Sequence, residues 1–271
     1  MNLAEATFQR IAERSLDNAA RNRGRIGRSV AELPHYERAI VVGNGPSLVD
    51  ALDALRDVAT SVPIVATDGA LRRLLPLYPS LVVTCDPHPR IAHWFGAPAD
   101  GHFQRTGEAH ADGPIRLHAL PVAIATASAP ETVDACERGG ASLYWWNAML
   151  DDPTVEGSLT RTLYEDNGLP CLNGGGNVGT AAWVLAHQVL GAKTIALVGF
   201  DFGYPPDFPV ELTQYWPEIQ ALYGDRWPEA FTHYANGWYA DPAFAWFRET
   251  FYAMRKNATC ETVTLDELLR G

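Results

Sequence analysis

A chain of 271 residues, 47% of them hydrophobic, has the length for one large α/β domain or two small ones, and one is expected. Its formal net charge of −11 excludes a protein that coats nucleic acid or an anionic membrane. Four widely spaced cysteines (Cys85, Cys136, Cys171, Cys260), with no CxxC pair, exclude a small disulfide framework and fit a reducing compartment, read here as the cytoplasm.

The elements follow in chain order. Residues 2–22 place Leu3, Phe8, Ile11, Ala12, Leu16 and Ala19 at helical spacing, with charges among them and so no signal-peptide core. A Gly/Arg-rich stretch to Pro34, with Arg21, Arg23, Arg25 and Arg28, reads as a solvated connector, so that 1–34 is set apart from a domain at 35–271. Apolar runs of strand length then recur at 38–43, 63–67, 80–85, 114–120, 122–127, 142–146 and 194–200. Helical patterns fall between them at 47–58, 69–76, 130–138, 154–167 and 178–190. Strands that are apolar throughout are buried on both faces, which predicts a doubly wound, mainly parallel sheet. No run approaches the ~18 uninterrupted apolar residues of a membrane span. From Phe202 to Trp246 periodicity gives way to Tyr, Trp and Pro, including Trp216, Trp227, Trp238 and Trp246. That segment reads as either a packed cap or a lid over a ligand.

Four strand ends carry polar, turn-forming residues. In "VVGNGPSL", Gly43, Asn44, Gly45 and Ser47 stand where a strand becomes a helix. The backbone N–H groups and positive end of such a helix suit an anion, although a tight turn alone would also require the glycines. The spacing is neither a full dinucleotide fingerprint nor a P-loop. "VATDGALRRLL" puts Asp68 and Gly69 at the next strand end, as helix cap, ribose ligand or metal-facing acid. "VVTCDPHPR" adds Asp86 and His88 between stiffening prolines. "CLNGGGNVGTAA" brings Asn173, Gly174 and Gly175 before a small-faced helix, and the strand after it ends in Asp201, Phe202 and Tyr204.

Taken as a set, "GNGPSL", "ATDGALRRLL", "VVTCDPHP", "NGGGNVGTAAWVLAHQVLGAKTIALVGFDF" and "YADPAFAWFRE" resemble the MptE-like family, which embraces a 6-hydroxymethylpterin diphosphokinase and the core domain of the Maf flagellin glycosyltransferases. The resemblance covers about residues 36–260. It implies a Rossmann-like nucleotide-binding domain with an aromatic-rich lid at about 202–246.

Within that family the resemblance favours a glycosyltransferase using a CMP-activated acidic sugar, with no metal or other cofactor required and sialyltransferase-like motifs. The nucleotide would lie against Gly43, Asn44, Gly45, Ser47, Asp68, Gly69, Asp86, Asn173, Gly174, Gly175 and Asp201. Tyr204 would donate to the leaving phosphate, and His233 would take the acceptor's proton, a role histidine side chains commonly fill. The acceptor would be a small molecule or a glycan, and a homo-oligomer is compatible with the reading. The alternative is pyrophosphoryl transfer from ATP with Mg²⁺ on Asp68 and Asp86. This chain offers one acid after Thr84, where that branch carries a pair. A nucleotide-binding module without chemistry is the third reading.

Overall fold

The computed structural model describes residues 3–97 and 115–270, and the side chains from residue 11 onward. The strands are β1 (Arg28–Ser29), β2 (Arg38–Val42), β3 (Ile64–Thr67), β4 (Leu81–Thr84), β5 (Pro121–Ala125), β6 (Ser142–Ala148), β7 (Cys171–Leu172), β8 (Thr194–Val198), β9 (Thr232–His233), β10 (Tyr239–Ala240) and β11 (Glu261–Thr264). One sheet takes the order β1-β6-β5-β4-β3-β2-β8-β11, with β7 beside β6, and every pairing in it is parallel. The expected Rossmann-like, doubly wound architecture is therefore the observed one.

Burial follows the alternation of side chains along each strand. Ile40, Val42, Ile64, Ala66, Val82 and Ile124 face one layer. It is built from α2 (Leu48–Val58), α3 (Leu71–Leu74), the 3₁₀ segment Pro89–Phe95 and α4 (Pro130–Arg138). Val41, Val65, Val83 and Ala123 face the other layer, where α6 (Val178–Gln188) presents Ala181, Ala182, Val184 and Leu185. Those small and branched side chains let α6 lie across β2, β3 and β4.

Three expectations need correction. Residues 115–120 are not a strand: Leu117 N–H and Ala119 N–H bond to the carbonyls of Gly139 and Gly140 beyond α4, and His118 and Ala119 take φ of 41° and 63°. Left-handed backbone cannot continue an extended ladder; Pro114 lies outside the described residues. The 154–167 helix is shorter, as α5 (Leu159–Asn167) capped by Ser158. The connector is not merely solvated. Its β1 pairs with β6, Arg23 meets Asp166, and Arg25 bridges Asp134 and Glu137.

The first helix, α1 (Leu3–Asn22), is anchored by amides rather than by apolar contact alone. Asn18 Nδ2 donates to Pro87 O and Ala127 O, both at 2.9 Å, and Asn22 Nδ2 to Thr126 O and Ser128 O at 3.0 and 2.8 Å. These carbonyls follow β4 and β5, so α1 borders the edge of the sheet from which its loops emerge. No helix among the described residues is long and apolar enough to cross a membrane.

Candidate functional site

β2 lies at the centre of the sheet. Its successor β3 adds on one side, while β8 flanks it on the other. Loops leaving the carboxyl ends of β2 and β8 therefore diverge, opening the crevice where ligands of open α/β sheets gather.

At that point the backbone is tightly knit. Gly43 N–H donates to Val198 O at 2.8 Å, Gly45 N–H to Gly199 O at 2.9 Å, and Leu48 N–H to Gly45 O at 3.0 Å. A Cβ on Gly43 or on Gly45 would stand 2.6 Å from Gly199 O, and Gly199 itself has φ +68°. The glycines are thus required first by two loops in backbone contact. The expectation that the α2 N-terminus offers its N–H groups to a ligand is corrected in one respect: the Asp201 carboxylate already accepts from Ser47 N–H at 2.8 Å. The Ser47 side chain makes no cap bond. The Asn44 backbone N–H makes no bond to a described residue, while its Oδ1 accepts from Arg73 at 2.9 Å.

Next to Asn44 lies the acidic wall. A Cβ on Gly69 would be 3.1 Å from Asn44 Cβ, which places the β2 and β3 loops side by side. Asp68, buried, accepts from Gly69 N–H at 2.7 Å and from Thr84 Oγ1 at 2.8 Å. Burial, with the nearby Asp86 charge adding to it, pushes the Asp68 carboxyl up to about 7 despite those two bonds. Asp86 accepts from His88 N–H at 2.8 Å, and His88 Nδ1 from Arg90 N–H at 3.1 Å, which folds the Pro87–Pro89 loop back on itself. The Cys85 thiol is pushed up by burial between these acids.

The second glycine segment reaches the crevice indirectly. Asn173 is exposed, with Oδ1 on Gly175 N–H. Gly174 packs on Ala181, and Gly175, at φ +58°, is closed in by Thr180 and by Met254 of α8 (Pro242–Lys256). The link is Phe200, whose ring touches both the Gly43 and the Gly179 positions. Beside Asp201 a cleft of about 430 Å³ continues between Phe202, Phe251, Arg255 and Glu267.

The aromatic segment forms a unit with its own small core of Tyr204, Ile219, Phe231 and Tyr239, which includes α7 (Trp216–Tyr223) and the antiparallel β9–β10 hairpin. Tyr204 belongs to that core. Its hydroxyl donates to Asp241 Oδ2 at 3.2 Å and accepts from Gln214 N–H at 3.0 Å, with 7% of the residue exposed. Burial, then Asp241, raises its pKa further, and the two hydrogen bonds occupy the hydroxyl as a tie within the aromatic unit. His233 is exposed on the hairpin with its ring 6.0 Å from that of Tyr239.

Sequence reasoning missed Asn18 and Asn22, Arg73, Arg90, Tyr215 and Asp241. Arg73 and Arg90 follow the acids of the ATDGALRRLL and VVTCDPHPR segments within a few residues. The Ser15-Asn18-Asn22 spacing, a polar stripe on a helix, was the available signal for α1.

The fold defines a Rossmann-like α/β protein with a crevice at the topological switch point and a C-terminal aromatic cluster. The family model described as 6-hydroxymethylpterin diphosphokinase MptE-like matches residues 13–207, and the chain belongs to this MptE-like family. No curated protein matches the sequence. Among solved structures, the chain is similar to the MAf glycosyltransferase from Magnetospirillum magneticum AMB-1, with a TM-score of 0.57 and 14% identity. That likeness, which is one of fold, covers 94% of this chain and 38% of the glycosyltransferase.

Proposed function

We propose that the protein is a transferase acting on a nucleotide-activated group, with the nucleotide in the crevice at the carboxyl ends of β2, β3, β4 and β8. One observation carries this reading: Asn44, Asp68, Asp86 and Asp201 gather at the switch point, where the Asn44 N–H makes no bond to a described residue. Family membership and the shared fold support the transferase class, and a CMP-activated acidic sugar is the donor we favour. Phosphate oxygens would be received by the Asn44 N–H beside Arg73, because the Asp201 carboxylate holds the end of α2. His233, exposed on the lid hairpin, would remove the acceptor's proton.

The diphosphokinase reading calls for Mg²⁺, which would neutralise the transferred phosphates. Both oxygens of Asp68 already accept hydrogen bonds, and its charged form is disfavoured near neutrality. Asp86 has one oxygen on His88 N–H and one that no described residue binds. Among the described residues no three His, Cys, Asp or Glu side chains come together as a metal-binding group. The donor set fits Mg²⁺ poorly, and pyrophosphoryl transfer is the second reading.

His233→Ala tests the assignment. Loss of a general base costs ~10²–10⁴-fold in rate and leaves nucleotide affinity nearly unchanged. Turnover of the parent should survive EDTA. Unchanged turnover in the variant removes His233 from the mechanism. Activity that EDTA abolishes and Mg²⁺ restores favours pyrophosphoryl transfer. The absence of any transfer or hydrolysis leaves the binding module.

A further inference from the structure

We propose that the cleft beside Asp201 is a binding site for a zwitterion, an α-amino acid with an aromatic side chain. The inference goes beyond the proposed function and does not depend on a nucleotide in the crevice.

Three walls enclose the space of about 430 Å³, a size usual for a small-molecule site. The first is β11 with α9 (Leu265–Arg270), at the end of the sheet beyond β8. On an edge strand the outward backbone groups have no further strand to pair with. Side chains answer them here. Arg255 Nη2 donates to Thr262 O at 2.8 Å, and Glu267 Oε2 accepts from Thr264 N–H at 2.7 Å and from Thr264 Oγ1 at 2.9 Å. Those bonds fix a guanidinium and a carboxylate on either side of Val263, and all three residues line the cleft. The second wall is Asp201, whose Oδ2 accepts from Ser47 N–H at 2.8 Å. The third wall is aromatic. Phe202 takes φ 48°, a conformation that strains a bulky residue, and the rings of Phe200 and Phe251 hold it at centroid distances of 5.9 and 5.5 Å. Tyr252, 47% exposed, stands beside Phe251 and one turn before Arg255 on α8.

The mixture of charges selects the ligand. Arg255 and Glu267 line one cleft, yet none of the ion pairs among the described residues joins them. A simple anion would meet Arg255 and be opposed by Glu267 and Asp201, and a simple cation would meet the reverse. An α-amino acid carries its carboxylate and its ammonium on one carbon, so a single small molecule answers both signs. Its hydrogen bonds would be charge-assisted, about twice as strong as neutral ones, and arginine can offer a carboxylate two of them. Arg255, Glu267 and Asp201 are each already tied to backbone, which reduces the side-chain freedom lost on binding. An aromatic side chain on the ligand would lie against Phe202 and Tyr252 in offset or edge contact.

The test is calorimetry of the full chain, without nucleotide, against L-phenylalanine, 3-phenylpropionate, 2-phenylethylamine and methyl glucoside. L-Phenylalanine should bind saturably, and each singly charged analogue roughly fivefold or more weakly. Arg255→Gln should weaken L-phenylalanine roughly fivefold or more and leave 2-phenylethylamine as in the parent. Glu267→Gln, whose amide oxygen still accepts from Thr264 N–H, should weaken L-phenylalanine similarly and leave 3-phenylpropionate as in the parent. The site is overturned if L-phenylalanine shows no saturable binding, if either singly charged analogue equals it, or if both folded variants bind it as the parent does. Preference for methyl glucoside assigns the cleft to a neutral hydroxylated ring and equally overturns the zwitterion. Should Arg255→Gln fail to fold, Glu267→Gln decides alone. A chain that binds L-phenylalanine through Arg255 and Glu267 but binds no nucleotide keeps this site and loses the proposed function.

Discussion

Gly45→Ala is a sharp probe of why the first glycine turn exists. The added methyl would lie 2.6 Å from Gly199 O, and closer still to the Asp201 carboxylate. The carbonyl cannot retreat freely, because it accepts the Gly45 N–H at 2.9 Å, so both loops must part together. Overpacking of this kind costs about 1–3 kcal/mol. Pushing Asp201 off the Ser47 N–H removes the acceptor at the end of α2, worth about 1 kcal/mol. The sum, about 2–4 kcal/mol, corresponds to a fall of roughly 5–15 °C in Tm for a domain of this size. Gly24→Ala and Gly27→Ala are the controls, since a Cβ at either position meets nothing within 4 Å. Calorimetric and urea unfolding of the three variants should separate the first from the other two. If Gly45→Ala unfolds within about 0.5 kcal/mol of the parent, the backbone-contact account of this turn is wrong.

Two more outcomes follow from buried polar groups. Asp68 has its carboxyl raised from 3.8 to about 7, so the folded state holds a proton that the unfolded state releases. Its contribution is fully present below pH ~4 and is lost as pH rises through ~7, by roughly 4 kcal/mol at most. Asp68→Asn, with its carbonyl on Gly69 N–H and its amide on Thr84, should flatten that segment of the stability–pH curve, and an unaltered curve would contradict the assignment. Tyr204→Phe keeps the ring stacks but strands Asp241 Oδ2 and Gln214 N–H, so unfolding should come about 1–3 kcal/mol earlier and cleavage of the lid by a protease should quicken. A variant with parental stability and reduced turnover would return Tyr204 to the chemistry.

Much of this architecture was legible in the residues because continuous apolar strands and glycine punctuation are local signals. β2, β3, β4 and β8 fell where their apolar runs stand, and the polar strand ends at 43–47, 68–69, 86–88 and 201 do come together. The pattern failed where tertiary contact decides. Residues 115–120 look like a strand, yet their N–H groups find the Gly139–Gly140 carbonyls first. β1, β7 and β9 are two residues long and carry no period at all. α8 was hidden among aromatics, and β11, with one apolar residue in Glu261–Thr264, is set by its parallel pairing with β8. The glycines at 43 and 45 mark the junction of β2 and α2, and the atoms that demand them there are those of Gly199 and Asp201. A tyrosine two residues beyond Phe202 looked catalytic from its order alone, and its partner Asp241 lies 37 positions away.

The central claim is that the switch-point crevice holds a nucleotide. Its most direct test is calorimetry of the full chain against CMP, CDP, UDP, GDP, AMP and ATP, each with EDTA and again with Mg²⁺. The account predicts saturable binding of a cytidine nucleotide in EDTA, unimproved by Mg²⁺. Binding of ATP alone and only with Mg²⁺, or of no nucleotide under either condition, would contradict it.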